Sequence, residues 1–483
     1  MGHVVNRTPV PPADLPRTLG ALRASGHVQR DVKGELRANL LDALRAGRDP
    51  WPGIVGFGDT VLPQLERAVL AGHDVVLLGE RGQGKTRLLR TLAGLLDEWT
   101  PVIAGAELAE HPYEPITPGS IRRAAELGDD LPVAWRHRSG RYTEKLATPD
   151  TSVGDLVGDV DPVKVAEGRS LGDPETIHFG LVPRAHRGIV AINELPDLAE
   201  RIQVSLLNVM EERDIQVRGY TLRLPLDVQL VASANPEDYT NRGRIITPLK
   251  DRFGAEIRTH YPREIGAEVA LVAQEADLGT IGAEVGEPLL EVIARFSRHL
   301  RSSAAIDQRS GVSARFAVAA AETVAGAAVR RAALTGEDAA VARPVDLEAV
   351  PPVLRGKLEF ESGYGESGGS GERDEQGEVL THLLRRAVAD TARARLRGLD
   401  LVPLAESVAG GHRVVTGERV PAAEVLAALP ELPVLHDVAV RFGAAPDGPP
   451  GPIAAAVELA LENLYLTRKL GKDAEDGRTV YGA

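Results

Sequence analysis

At 483 residues with a formal net charge of −13, the chain is long enough for about three domains and too acidic to coat nucleic acid over its whole surface. It has no cysteine, which excludes disulfides, thiolate metal sites and cysteine nucleophiles and fits a reducing, cytoplasmic setting. No run approaches about 18 uncharged apolar residues, so no membrane span is expected, and the start of the chain lacks the apolar centre of a secretory leader.

Residues 1–48 read as an N-terminal arm with one helix. The arm is Pro-rich and expected to be loosely held to about residue 28. Val32, Leu36, Leu40, Leu41 and Leu44 then mark one helical face that would dock it on the core or on a neighbouring subunit. WPGIVGFGDT, Trp51 to Thr60, is a turn-rich lead-in to a helix at about Leu62 to Ala71. Val75 to Leu78 is a short apolar strand, and GERGQGKT, Gly79 to Thr86, follows it and opens a helix. Strand, glycine-rich loop and helix N-terminus in that order form a phosphate cradle. Gly79, Gly82 and Gly84 let the backbone N–H groups turn inward, Lys85 reaches the β- and γ-phosphates, and Thr86 offers its hydroxyl to Mg²⁺. This is the most specific signal in the chain.

Gly188 to Ile192 reads as a second buried parallel strand, ending in Asn193-Glu194. A helix is predicted over 198–212, with Leu198, Ile202, Leu206 and Val209 on one face. Ile215 and Val217, then Tyr220, Leu222 and Leu224, alternate about Arg218-Gly219 and predict a β-hairpin at about 214–225. Val228 to Ala232 is another buried strand, closing in Ser233-Ala234-Asn235. The order predicts an open parallel α/β sheet. Far more chain separates Lys85 from Glu194 than one helix and two loops need, so much of 107–183 is expected to be an insertion on the rim of the sheet. His111, His137, His178 and His186 lack any tight metal-ligand spacing and read as solvent-facing residues of that region. Residues 263–362 are Ala-rich with helical spacing and read as a lid. Residues 363–377 form a Gly/Ser/acidic linker, and 378–483 a separate helical domain with a polar tail.

Hydrolysis at a phosphate loop needs a base for water, a γ-phosphate contact and a cation for the charge of the transition state. Glu194, at the tip of a buried strand, is the natural water-polarising base. Asn235 ends the next strand and can donate its amide to the γ-phosphate or the water. Arg252, in PLKDRFG, could reach a neighbour's nucleotide in trans. Arg315, in SGVSARFAV, could touch the γ-phosphate from the lid.

Together GERGQGKT, IVAINEL, ASANP, LKDRFG and SARFAV resemble the AAA+ ATPases, within them the magnesium-chelatase I-subunit and MoxR-type branch, and most of all an actinobacterial chelatase-like group. The resemblance covers about residues 50–362. It implies a nucleotide-binding core over 49–262 with inserted hairpins, followed by the helical lid. By that resemblance Gly79, Glu80, Arg81, Gly82, Gln83, Gly84, Lys85, Thr86 and Arg87 hold ATP, and Ile54 and Val55 pack on its adenine. Lys85 and Thr86 are then Walker A, Glu194 is Walker B, Asn235 is sensor 1, Arg252 is the arginine finger and Arg315 is sensor 2. It also implies a hexameric ring with sites at subunit boundaries, and a separate partner protein carrying a von Willebrand A domain.

The chain departs from that pattern once. Asn193 stands where the family has Asp, so Thr86 and Asn193 form the metal side, with no charge from Asn193. Weaker Mg²⁺ binding and slow turnover are expected. No GAFTGA-type loop is present, which counts against the transcriptional-activator branch. The expected function is an ATP-hydrolysing ring motor, chelatase-like or MoxR-like, that remodels or activates a partner, with a link to metal insertion left open. Two alternatives are a nucleic-acid motor using Arg218 and Arg223 in a pore, which the acidic charge disfavours, and a nucleotide-gated scaffold with little hydrolysis.

Overall fold

Five short runs rich in branched apolar residues pair into one all-parallel sheet. They are β1 (Val75–Leu78), β2 (Tyr142–Leu146), β3 (Gly188–Asn193), β4 (Val228–Ala234) and β5 (Ala255–Arg258), and they lie side by side in the order β5-β1-β4-β3-β2. The computed structural model describes residues 9–167, 176–211, 215–217, 220–222, 224–235, 244–307, 311–361, 374–475 and 478–482. β1 is buried at every position and β3 likewise, because helices cover both faces of the sheet.

Alternation along the strands sorts the two faces. Val75, Leu77, Ile189, Ala191, Val231 and Ile257 share one core with helices Val32–Arg45, Val61–Ala71 and Lys85–Thr91. Val76, Leu78, Val190, Ile192, Ala232 and Ala234 face the other way, onto helix Glu200–Glu211 through Ile202, Leu206 and Val209. The predicted hairpin is present in the backbone, where Ile215 pairs with Leu222 and Val217 with Tyr220.

Three expectations are corrected. First, 107–183, expected to be largely an insertion on the rim of the sheet, contributes a strand to the sheet itself. β2 lies inside it and forms the edge of the main sheet, Glu144 opposite Ala191 and Leu146 opposite Asn193. Its one open side lets polar residues alternate with Tyr142 and hides it from an apolar-run reading. Second, the arm is held before residue 28. A helix at Leu19–Ala24 buries Leu19 and Leu22, and the backbone of Arg17 and Leu19 bonds to Val133 and Leu131. Helix Val32–Arg45 docks on this chain's own core: Glu35 and Arg141, both buried, form a bidentate pair at 2.6 and 2.7 Å. Third, the expected separate domain over 378–483 shares one core with the lid.

Contacts divide the chain into two units, Met1–His260 and Tyr261–Ala483. In the second unit, helix Glu287–Arg301 packs on helix Glu375–Arg395, and one apolar cluster runs from Val272 through Phe316 and Leu384 to Tyr481. The tail is not merely polar. Strands Val414–Gly417, Arg478–Gly482 and Gly471–Glu475 form an antiparallel sheet that buries Val480 and Tyr481. No helix among the described residues is long and apolar enough to cross a membrane.

Candidate nucleotide site at the strand ends

The loop after β1 takes its shape from glycine at defined places. Gly82 (φ 75°) and Gly84 (φ 78°) adopt the left-handed conformation that side-chain-bearing residues avoid, and Gly84 starts helix Lys85–Thr91. Gly79 is required for space, since a Cβ there would overlap the Thr259 hydroxyl and the Gln83 side-chain oxygen. Those two groups bond each other at 2.8 Å and fasten the loop to the end of β5. Lys85 is 6 % exposed. Its ammonium donates to the Gly79 carbonyl, to the Glu80 carbonyl at 2.8 Å and to Asn235 Oδ1 at 2.8 Å. Arg81 is exposed and Arg87 half-buried at the mouth of the loop.

Two polar chains leave this loop. The first runs from Lys85 to Asn235 and on to Glu194, because Asn235 Nδ2 donates to Glu194 Oε2 at 2.6 Å. Glu194 sits at φ 56°, ψ 46°, a left-handed conformation costing a non-glycine residue about 1–2 kcal/mol. That turn lifts its carboxylate off the strand axis and into reach of Asn235. Sequence placed Lys85, Asn235 and Glu194 in one site, and the structure brings them together.

The second chain was not foreseen. Thr86 Oγ1 donates to Asn193 Oδ1 at 3.3 Å, and Ser233 Oγ donates to the same oxygen at 3.1 Å. Asn193 Nδ2 donates to Glu144 Oε1 at 2.7 Å. Arg90 clamps Glu144 with two bonds, 2.7 and 3.0 Å, and the Tyr142 hydroxyl donates to it at 3.3 Å. The geometry follows from two periodicities. Thr86 and Arg90 are four apart on one helix and share a face. Glu144, Ala191 and Asn193 share the sheet face which that helix covers. The hydrogen bond from Arg90 holds the Glu144 carboxyl below its ordinary range against the opposing effect of burial. Only the pairing of β2 with β3 would have revealed Glu144, and nothing local in RYTEKL announces that strand as a member of the sheet.

The donor set of this corner is all oxygen: the Thr86 hydroxyl, the Asn193 carbonyl and the carboxylates of Glu144 and Glu194. That chemistry fits Mg²⁺, a hard cation that keeps several waters and takes few protein ligands.

Other predicted residues lie apart. Ile54 and Val55 are half-buried in the turn after Trp51, with Ile54 against the core. Arg252 ends helix Thr247–Arg252, about half exposed, and pairs with Glu211 of helix Glu200–Glu211 rather than with its neighbour Asp251. Arg315 is the second residue of helix Ala314–Thr335 in the other unit, and exposed. Arg218 and Arg223 fall outside the described residues.

The histidine reading is corrected. His178 is exposed and His137 half-buried, but His111 and His186 are buried. Burial first, and the Arg187 guanidinium second, push both down to about 3, so they are neutral.

A family model described as "Sigma-54 interaction domain" matches residues 168–252, the stretch holding β3 and β4. The magnesium-chelatase subunit ChlI of a Nostoc species is 28% identical over 234 residues, 47% of this chain and 59% of that protein. The magnesium-chelatase 38 kDa subunit of Rhodobacter capsulatus is 30% identical over 233 residues, 46% of this chain and 59% of that protein. The chain thus covers less than two thirds of the length of these relatives. Among solved structures, a complex between the BchI and BchD subunits of magnesium chelatase matches at 22% identity and a TM-score of 0.34, covering 68% of this chain and 98% of that one.

Proposed function

We propose that the chain is a chelatase-like AAA+ ATPase, an ATP-hydrolysing motor that works as a ring of subunits. The observation that carries the reading is the bonded sequence Lys85–Asn235–Glu194 across the ends of β1, β4 and β3. Lys85 directs its donors to two loop carbonyls and an amide, acceptors that phosphate oxygens can replace. With Lys85 turned to phosphate, Asn235 keeps its hold on Glu194. The Glu194 carboxylate is the group proposed to take a proton from an attacking water. Thr86 and the Asn193 carbonyl are the residues that would hold Mg²⁺ at the phosphates. When bound, the cation would neutralise charge on the β- and γ-oxygens. Arg252, at a helix end and half exposed, is the residue proposed to meet a neighbouring subunit's nucleotide. Arg315 would approach from the lid.

The proposed setting is cytoplasmic, with ATP and Mg²⁺ as cofactors, a hexameric assembly and a von Willebrand A partner on another polypeptide. The task proposed is remodelling or activating that partner, with MoxR-like chaperone work favoured over tetrapyrrole metal insertion. The segment 378–483, which extends beyond the chelatase-like region, is built into the core of the lid, so a lid movement would carry it along.

The test is ATP turnover by the full chain, followed by mixing of two inactive variants. Glu194→Gln should bind a fluorescent ATP analogue as wild type does and lose at least about 100-fold in turnover. Lys85→Ala and Arg252→Ala should each be inactive alone. Mixed, they should regain activity, because an intact Lys85 pocket then meets an intact Arg252 from its neighbour. No turnover by wild type at any Mg²⁺ concentration would overturn the motor, and no recovery on mixing would overturn the shared site.

A further inference from the structure

Asparagine at the position beside Glu194 leaves the metal side of the site one negative charge short. The structure contains a carboxylate in bonding distance of that asparagine, from a strand that the sequence did not place in the sheet. We propose that Glu144 is the positioning residue of this corner: it fixes the Asn193 amide with its oxygen toward Thr86, and it returns the missing charge one residue further out. The inference rests on the nucleotide reading above.

The chemistry of the bond fixes its direction. A carboxylate only accepts hydrogen bonds, so at 2.7 Å from Glu144 Oε1 the Asn193 group must be the NH₂. A flipped amide would set two acceptors against each other. The carbonyl oxygen therefore faces the other way, where the Thr86 and Ser233 hydroxyls both donate to it at 3.3 and 3.1 Å. Glu144, Thr86 and Ser233 thus agree on a single amide orientation. An Asp at position 193 would need no such control, since both of its side-chain oxygens are acceptors. An Asn does, because one wrong rotation presents N–H groups to the cation.

Arg90 does not cancel the effect. Its side chain is 63% exposed while that of Glu144 is 22% exposed, so solvent screens the cation more than it screens the carboxylate. Its two bonds do fix the carboxylate plane, so that one oxygen is aimed at Asn193. Outer partners of this kind typically set metal affinity by about 10–100-fold.

The experiment is a titration with Mg²⁺ of the binding of a fluorescent ATP analogue to the full chain, starting in EDTA. Glu144→Gln should leave the EDTA affinity and the melting temperature at wild-type values and raise the Mg²⁺ concentration for half effect about tenfold. The double variant Glu144→Gln/Asn193→Asp moves the charge to the inner position, where the introduced glutamine amide donates to the introduced carboxylate. It should return to within about threefold of wild type. If Glu144→Gln does not fold, Glu144→Asp keeps the charge but withdraws the oxygen by one methylene, and should show a smaller shift of the same sign. A wild-type Mg²⁺ response from the glutamate variants, or a double variant no better than the single, overturns the proposal. Absence of analogue binding by wild type in EDTA is a different failure, that of the nucleotide site itself.

Discussion

Away from the closed Glu35–Arg141 pair, the phosphate-loop corner of the first unit and the core of the second unit bury charge in opposite ways. In Met1–His260, the polar groups around the phosphate loop converge on strand ends, and several of their bonds go to carbonyls and amides that a ligand can displace. In Tyr261–Ala483, the buried charges close on one another. Arg331 meets Asp346 at 3.1 Å and Glu337 at 2.7 Å, Arg343 meets Glu458 at 2.7 Å, and Arg301 meets Glu268 at 2.7 Å. Each of those carboxylates is answered by a guanidinium. The lesson is that burial of a charge does not mark function; the character of its partner does. Glu458 is more buried than Glu194, yet its partner is an equally buried guanidinium, which makes the pair structural.

Breaking the closed pair should have the largest effect on stability. Glu458→Ala leaves Arg343 buried and unpaired and should destabilise the second unit by about 3–5 kcal/mol. The double variant Arg343→Met/Glu458→Leu should recover most of that loss. All three tryptophans, Trp51, Trp99 and Trp135, lie in the first unit, so circular dichroism should register the loss while tryptophan fluorescence holds its midpoint. A fluorescence midpoint that moves with the circular dichroism would show that the two units do not unfold independently.

Breaking the open chain should have the reverse profile. Lys85→Met should lower affinity for the ATP analogue at least about tenfold, or about 1.4 kcal/mol. It removes one buried cation and keeps an apolar stem of similar length, so the fluorescence midpoint in urea should move by less than the Glu458→Ala change moves the other unit. A large loss of stability with unchanged affinity would reverse the two assignments.

The pH dependence sharpens the contrast. His111 and His186 are held at about 3 in the folded first unit against an ordinary 6.5, burial being the larger cause. The unfolded chain therefore binds more protons below 6.5, and stability present above that pH is lost as pH falls toward 3. Each histidine can contribute a slope of up to about 1.4 kcal/mol per pH unit. Asp74, raised by burial, works against this in the same unit. Glu458 is pushed up to about 7 from an ordinary 4.5, again by burial before the opposing pull of Arg343. Its contribution is complete below 4.5 and is lost as pH rises to 7; Asp346 and Glu348 shift in the same direction, while His299, lowered by burial, works against them. Between about pH 5 and 6.5 the first unit should weaken with acid and the second should strengthen. Urea midpoints by fluorescence and by circular dichroism, taken across that range, should diverge.

Sequence made the open chain largely legible and the closed one hardly at all. GERGQGKT, the tip of β3 and the tip of β4 are local patterns, and their order along the chain was enough to place Lys85, Glu194 and Asn235 in one site. Glu144 was out of reach because its meaning lies in the pairing of an edge strand, a non-local fact. The shared core of the second unit was hidden by the Gly/Ser/acidic run at 363–377, which looks like a domain boundary. Leu380, Leu384 and Val388 nevertheless pack into the same cluster as Leu290 and Phe296. The buried histidines were misread because the region around them is polar on average, and an average does not say which way one ring points.

The smallest effect on stability belongs to Arg252–Glu211, a pair proposed to serve by being weak. Arg252 and Glu211 are about half and two fifths exposed, so their ion pair should contribute no more than about 1 kcal/mol, and Glu211→Ala should leave the fluorescence midpoint almost unchanged. A finger acting in trans must be able to leave its own subunit's carboxylate, and a screened pair allows that at little cost. Arg252→Ala should then lower turnover by about 10³-fold, far more than the pair's share of stability. Glu211→Ala should raise turnover slightly or leave it as it is. If Glu211→Ala instead lowered turnover as far as Arg252→Ala does, the pair would be a structural clasp like Arg343–Glu458 or Glu35–Arg141, and the division between the open site and the closed pairs would fail at this point.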